Sequence, residues 1–226
     1  MNARLEEIYR EYLLLLKDVE GEFHRVSSMF SDRMQCRKGC SMCCSQLFGI
    51  SFIEAAYISH GVKELAEDAQ ALMLDRAKAY LEEMLGISVD ETQGIEEHGA
   101  RVTAALKSLA GARHIPCPAL VDDACIIYDH RPIIARKWGI PIWNPRKPDV
   151  LQACELNFKA GEAIAVEGLV EPQVELEYRW LMFKERVGED LELPDVVATV
   201  ASAVIFDYEG ELEKAVWRRP QRESGG

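Results

Sequence analysis

The feature that most constrains this chain is a group of four cysteines within nine residues. Its spacing is C-x3-C-x2-C-C, formed by Cys36, Cys40, Cys43 and Cys44. Hydrophobic packing does not require cysteine at this density, whereas thiolates three and four positions apart can converge on one soft metal ion or cluster. Gly39 inside the group permits a tight turn. Because segment 33–45 shows no hydrophobic period, we expect a metal-binding loop there.

The remaining cysteines and the N-terminus indicate the redox compartment. The chain has seven cysteines, an odd number, and the other three are Cys117, Cys125 and Cys154. Residues 1–7 are acidic and no apolar stretch with a cleavage site follows, so we expect a cytoplasmic protein in which disulfides do not form. The longest apolar run, 196–206, is far shorter than the roughly twenty residues of a membrane-spanning helix.

Charge argues against two classes of partner and favours a local anionic centre. With 38 acidic and 26 basic residues the net charge is −12, which disfavours nucleic acid and anionic membrane as partners. Segments 33–44 and 128–147 nevertheless hold eight of the bases and one of the acids. A metal bound by four thiolates carries net negative charge, so a basic surround suits it. We expect Arg33, Arg37 and Lys38 to lower the pKa values of the nearby thiols.

Hydrophobic periodicity predicts a mainly α-helical fold in a single domain, 1–226, with a frayed tail from about residue 218. Apolar residues recur at steps of three and four in six segments: 5–26, 51–61, 65–86, 95–111, 174–182 and 197–204. Ser51 and Glu54 have the spacing of a capping box. In the fifth segment the spacing is carried by Val174, Tyr178, Leu181 and Met182.

Between these helices one region of the chain is rich in proline. Region 116–148 contains six of the nine prolines and predicts loops with two short strands. A further short strand is predicted over 163–166. We therefore expect helices to flank the cysteine-rich loop, with Cys117 and Cys125 folded back to complete the site.

Several motifs, in this order, resemble the cysteine-cluster family of zinc- or iron-chelating domains. Together these motifs span about half of the chain. They are the cysteine group 36–44, the apolar segment 47–51 that leads into 52–55, the Cys-Pro block 117–120, and segment 125–132. The last of these contains a cysteine, two apolar residues, and then Tyr, Asp, His, Arg and Pro. The resemblance implies a metal or iron–sulfur centre bound by cysteines of these blocks. Relatives in the same superfamily include a flagellin lysine methylase associated with such a centre.

The chain departs from that family at one ligand position. Where the family continues Arg-Pro-x-x-Cys-Arg, this chain has Ala135 in place of the cysteine. Cys154 corresponds loosely to the family's last cysteine. Seven sulfurs still exceed the four that a tetrahedral zinc or a [4Fe–4S] cluster needs. The candidate ligands are Cys36, Cys40, Cys43, Cys44, Cys117, Cys125 and Cys154.

The donor set favours iron over zinc. Iron–sulfur clusters prefer all-cysteine sites, whereas zinc also accepts imidazole. The five histidines, His24, His60, His98, His114 and His130, do not cluster in the sequence. We leave them out as ligands and predict a [4Fe–4S] cluster, with Zn²⁺ as the alternative.

Arg131 and Arg136 are candidate residues for cofactor binding. Each is expected to hydrogen-bond or neutralise a thiolate-rich centre, or to dock an anionic partner. The alternative is that the basic stretch from 131 to 147 is a solvated loop whose aromatic side chains cover the core.

Two classes of function remain open at this point. One is a redox or cluster-dependent enzyme that modifies a protein side chain. The other is a non-catalytic protein whose zinc or iron stabilises the fold or passes to a protein partner.

The spacing of Cys36, Cys40 and Cys43 also occurs in radical S-adenosylmethionine enzymes, but Met42 replaces their usual aromatic residue and the chain lacks repeated strand–helix units. No G-x-G-x-x-G follows a strand, which disfavours a Rossmann-type methyltransferase.

Overall fold

The computed structural model describes residues 2–37, 39–90, 92–108, 115–144, 149–159 and 162–219. Within them the fold is mainly α, as predicted. The helices are α1 Ala3–Met29, α2 Phe52–Lys63, α3 Glu67–Leu85, α4 Ile95–Ser108, α5 Ile133–Lys137, α6 Val170–Leu191, α7 Val200–Ile205 and α8 Tyr208–Arg218. An antiparallel pair, β1 Leu120–Val121 and β2 Ala124–Cys125, and two 3-10 turns, Met42–Ser45 and Tyr128–His130, complete the described elements.

Helix α2 lies at the centre of the core and begins with the predicted capping box. Ser51 Oγ accepts from the Glu54 backbone N–H at 3.3 Å, and Glu54 Oε2 accepts from the Ser51 N–H at 2.8 Å. The other carboxylate oxygen of Glu54 accepts from the N–H of Ile133, the first residue of α5, at 3.1 Å. Burial raises the pKa of Glu54. This side chain therefore ties the start of α2 to the segment that follows Arg131.

The helices pack through their apolar faces, with α7 and α8 against α2. Helix α1 buries one amphipathic stripe against α5, α6 and α8, with Tyr12 completely buried. A second cluster forms where α3 packs on α7 and α4, around Leu81 and Val102. Helix α3 ends as predicted at Gly86, whose φ of +63° is the left-handed conformation that glycine favours at a helix terminus.

Two details differ from the sequence expectation. Residues 163–166 form no strand, because Ile164 packs by its side chain against Val26 and Leu169 and has no ladder partner among the described residues. Helix α6 exists, but the residues that carry its predicted spacing are exposed: Val174, Tyr178, Leu181 and Met182. Its buried side is centred on Phe183 and Val187. A helix with apolar residues on two sides leaves its packed face to be decided by the neighbouring helices.

Some predictions fall outside the described residues: Lys38, Leu109 to Gly111, Arg146, Lys147, and the tail from residue 220. In the part of the chain that is described, no helix combines the length and hydropathy required to cross a bilayer.

Candidate metal centre

Four cysteine side chains meet at one small cavity. Cys43 and Cys44 come from the first 3-10 turn, Cys117 from the loop before β1, and Cys125 from the end of β2. All four line a cavity of about 60 Å³. The prediction that Cys117 and Cys125 fold back onto the cysteine-rich loop is confirmed.

Backbone contacts explain why these distant segments meet. The Cys117 N–H donates to the Cys44 carbonyl oxygen at 2.6 Å. The chain then reverses at Asp122 and Asp123, whose φ values of +49° and +58° suit a tight hairpin turn. This reversal pairs Cys125 with Leu120. The hairpin is joined to the cysteine-rich loop again where Ser41 Oγ donates to the Asp123 carboxylate at 3.0 Å.

The buried thiols of Cys117 and Cys125 each accept a backbone hydrogen bond from two residues further along. The donors are the N–H groups of Ala119 and Ile127, and both bonds act to lower the thiol pKa. Desolvation is the larger effect, so it raises the pKa of Cys117 to about 12 and also raises that of Cys125. Losing these protons near neutral pH therefore requires a cation, such as a bound metal, to compensate for burial.

Cys43 and Cys44 behave differently because their thiols interact. A hydrogen bond between them raises the pKa of Cys43 and lowers that of Cys44. Arg131 also acts to lower the pKa values of both thiols and of Cys125. Its guanidinium carbon lies 3.5 Å from the centre of the Tyr128 ring, and its Nε donates to the Tyr128 carbonyl at 2.9 Å. Arg131 thus supplies positive charge at the cavity.

This electrostatic arrangement predicts the order of thiol reactivity in the metal-free protein. Because alkylation requires the thiolate, we expect Cys44 to react at lower pH than Cys117 and Cys125. Arg131→Gln removes a charge that favours the thiolate, so it should move the alkylation profile of Cys44 to higher pH. Arg37→Gln, in the exposed loop, should leave that profile unchanged. Mass spectrometry of iodoacetamide-treated protein across a pH series measures both, and an identical profile in Arg131→Gln would contradict this account.

Arg136 has a different role from Arg131. Its side chain is buried and contacts Glu20 and the carbonyl oxygens of Asp129 and Arg131, the last at 2.9 Å. These contacts hold the backbone that carries Arg131, and the effect of Arg136 on the pKa of Cys125 is the smallest of those acting on that thiol. Arg136 therefore positions the loop that presents Arg131.

The base that acts on the loop thiols Cys43 and Cys44 is not among the bases that adjoin them in the sequence. Arg33 forms an ion pair with Glu162, and Lys38 lies outside the described residues. The base that faces the cavity is Arg131, from a distant segment. Sequence neighbours were thus a poor guide to charge at the site.

The other three cysteines, Cys36, Cys40 and Cys154, do not line this cavity. Cys36 lies close enough to Cys40, Cys154 and Cys43 for their charges to raise its pKa, although desolvation is the main cause. The residue as a whole is exposed, but its sulfur lies against Gly139, where a Cβ atom would be 2.5 Å away. Asn157 Nδ2 lies 3.4 Å from this sulfur and donates to the Gly139 carbonyl at 2.7 Å.

Ala135, the residue at the position where the resemblance implies a cysteine, also lines the four-cysteine cavity. It lies in α5, four residues after Arg131. A cysteine at this position would therefore reach the same cavity as the four thiols.

The spacing of the sulfurs distinguishes the two metal hypotheses. A tetrahedral zinc with Zn–S bonds of about 2.3 Å holds its thiolates about 3.8 Å apart. Among the described residues, no three cysteine sulfurs lie within 4.8 Å of one another. The cavity of about 60 Å³ is also larger than the roughly 10–15 Å³ that one water requires. The cavity sulfurs therefore do not all lie at the separation that a closed mononuclear zinc site holds.

The potential ligand atoms of His60, Glu64 and His130 do lie within 4.8 Å of one another. This group was not predicted from the sequence. The two histidines are far apart in the chain and come together only because the turn Tyr128–His130 packs on α2. The spacing of His60 and Glu64, one helical turn apart, was a local signal that one face of α2 presents two donors.

Comparisons with protein-family models, with curated proteins and with solved structures find no match to this chain. Its function is therefore argued from its residues and their geometry.

Proposed function

We propose that this protein binds an iron–sulfur centre, a [4Fe–4S] cluster, through Cys43, Cys44, Cys117 and Cys125. The observation that carries the proposal is that four cysteines from three separate segments line one cavity. Packing does not require cysteine at four positions of one cavity, and a bound cation would offset the desolvation that raises the pKa values of Cys117 and Cys125.

Three features support a cluster in preference to a single zinc ion. The donors are all sulfur, their spacing is wide, and backbone N–H groups donate to Cys117 and Cys125. Hydrogen bonds to the coordinating sulfurs and the local charge tune the reduction potential of iron–sulfur clusters. In this proposal Arg131 offsets the negative charge of the centre and Arg136 keeps the Arg131 loop in place.

The resemblance to the cysteine-cluster family extends the proposal to a redox or protein-modifying role in the cytoplasm. Seven free cysteines support a reducing compartment. Cys36, Cys40 and Cys154 adjoin the centre at Cys43 and are the candidates for a second binding position. The partner in this proposal is a protein substrate.

A second candidate is a non-catalytic zinc or iron protein, in which the metal stabilises the fold or passes to a partner. The observation that favours it is that the four thiols come from short turns and loops rather than from long helices. A metal that joins such segments contributes its binding energy to folding.

Anaerobic purification separates the two candidates. We expect a brown protein with about four irons and four sulfides per chain, visible charge-transfer absorbance, and an electron paramagnetic resonance signal after reduction. If the protein is purified without metal, reconstitution with ferrous iron and sulfide should produce the same brown, cluster-containing protein. A colourless protein that binds stoichiometric zinc and assembles no cluster on reconstitution would overturn the iron–sulfur proposal in favour of the second.

A further inference from the structure

A second group of potential ligands lies at the end of α2. His60 and Glu64 are one helical turn apart, and His130 ends the 3-10 turn that packs on them. The Nε2 atom of His60 lies 3.5 Å from Glu64 Oε1, and Nε2 of His130 lies 3.6 Å from Glu64 Oε2. One carboxylate is thus placed between two imidazole nitrogens.

These distances fit a shared metal ion better than direct bonding. An N–H···O hydrogen bond joins its heavy atoms at about 2.7–3.2 Å, so both separations are long. A tetrahedral zinc with N and O ligands at about 2.0–2.1 Å holds those ligands about 3.3 Å apart. The donors of all three side chains lie within 4.8 Å of one another, with the two histidines half-buried. Small movements of the exposed Glu64 side chain would complete the geometry.

The hydrogen bond on the other side of His60 supports the same conclusion. His60 Nδ1 lies 2.7 Å from the carboxylate of buried Glu209, which also pairs with Lys63 at 3.0 Å. This contact orients the imidazole ring so that Nε2 is directed at Glu64, as the outer carboxylate of a metal-bound histidine does. Carboxylate–histidine–zinc arrangements of this kind are common in metal sites.

His130 is held in place by close packing. Its ring centroid lies 4.6 Å from that of Tyr57, and a Cβ atom at Gly61 would come within 2.3 Å of His130 Cγ. Only glycine therefore allows the turn to approach α2 so closely. This packing fixes the His130 ring beside His60 and Glu64 before any metal binds.

We propose that His60, Glu64 and His130 form a mononuclear Zn²⁺ site, with the fourth position open to water or to an anionic ligand group. This site is chemically distinct from the all-sulfur cavity and does not depend on the cluster proposal. A zinc ion bound there would clamp the turn Tyr128–His130 to α2. Because Cys125 and Arg131 flank that turn, the ion would also steady one side of the cysteine cavity.

Cobalt is the probe that separates this site from the cysteines, because thiolate-bound Co²⁺ has an intense near-ultraviolet charge-transfer band that N/O-bound Co²⁺ lacks. We expect titration of the full chain to reveal one equivalent without that band, displaced by Zn²⁺. Glu64→Gln should weaken this equivalent by at least about tenfold, and Glu209→Gln by roughly 10–100-fold. His24→Gln, on the exposed surface of α1, is the matched control and should bind as the wild type does.

Two further measurements keep the test decisive. Glu64 is exposed, so the thermal unfolding of metal-free Glu64→Gln should match the wild type and separate lost binding from lost folding. In nitrogen-detected NMR spectra, Zn²⁺ should shift the ring nitrogens of His60 and His130 and leave those of His24 unchanged. If every cobalt equivalent carries the thiolate band, or Glu64→Gln binds as tightly as the wild type, the group is an ordinary ion pair and the proposal is wrong.

Discussion

Replacement of Cys117 by serine is expected to abolish the metal centre, reducing bound iron from about four per chain to less than one. Cys117 is the thiol whose pKa burial raises to about 12, and it lines the cavity together with Cys43, Cys44 and Cys125. A serine hydroxyl at this position stays protonated and is too hard a donor for iron in a sulfur site. Iron and sulfide analysis of anaerobically reconstituted protein, together with its visible spectrum, measures the loss.

Cys36→Ser is the matched control for this substitution. Cys36 is exposed and does not line the cavity, so this variant should retain its cluster. Far-ultraviolet circular dichroism of both metal-free variants distinguishes loss of a ligand from loss of folding. Full iron content in Cys117→Ser, or complete loss in Cys36→Ser, would show that the four cavity cysteines are not the ligand set.

Alanine substitutions at two helical glycines are expected to change the free energy of unfolding in opposite directions. Gly61→Ala is expected to lower the free energy of unfolding by about 1–3 kcal/mol, because its new methyl group overlaps the His130 ring. The ideal Cβ position lies 2.3 Å from His130 Cγ, so the turn that carries His130 must move away from α2. Gly21→Ala, in α1, should instead raise it by about 0.5–1 kcal/mol, since alanine is the better helix former.

Chemical denaturation of the metal-free proteins measures both changes in the free energy of unfolding. An equal dependence of that free energy on denaturant concentration shows that each variant unfolds in the same transition as the wild type. The Gly21 position is a sound reference because a Cβ there has no heavy atom within 4 Å. Gly61→Ala should also weaken cobalt binding by the histidine group, whereas Gly21→Ala should not. A stabilising Gly61→Ala substitution would mean that the turn is not packed against α2 as described.

Local signals in the sequence were sufficient for most helices. Periodicity located α1 and α3, and the Ser51–Glu54 capping box located the start of α2, because these depend on neighbouring residues in the chain. Burial faces were less predictable. Helix α6 has apolar residues on two sides, and only its neighbours determine that Phe183 is buried while Tyr178 is exposed.

For the candidate site, the sequence by itself determined the inventory of candidate ligands: cysteines too dense for packing, and a proline-rich segment that carries two more. Tertiary structure alone decided which of them meet. It placed four of the seven cysteines at one cavity, and it selected Arg131 as the base that faces the thiols. It also joined His60 to His130. The physical reason is that thiols, charges and imidazoles act over a few ångströms, and residues distant in sequence reach that range only when the intervening helices pack.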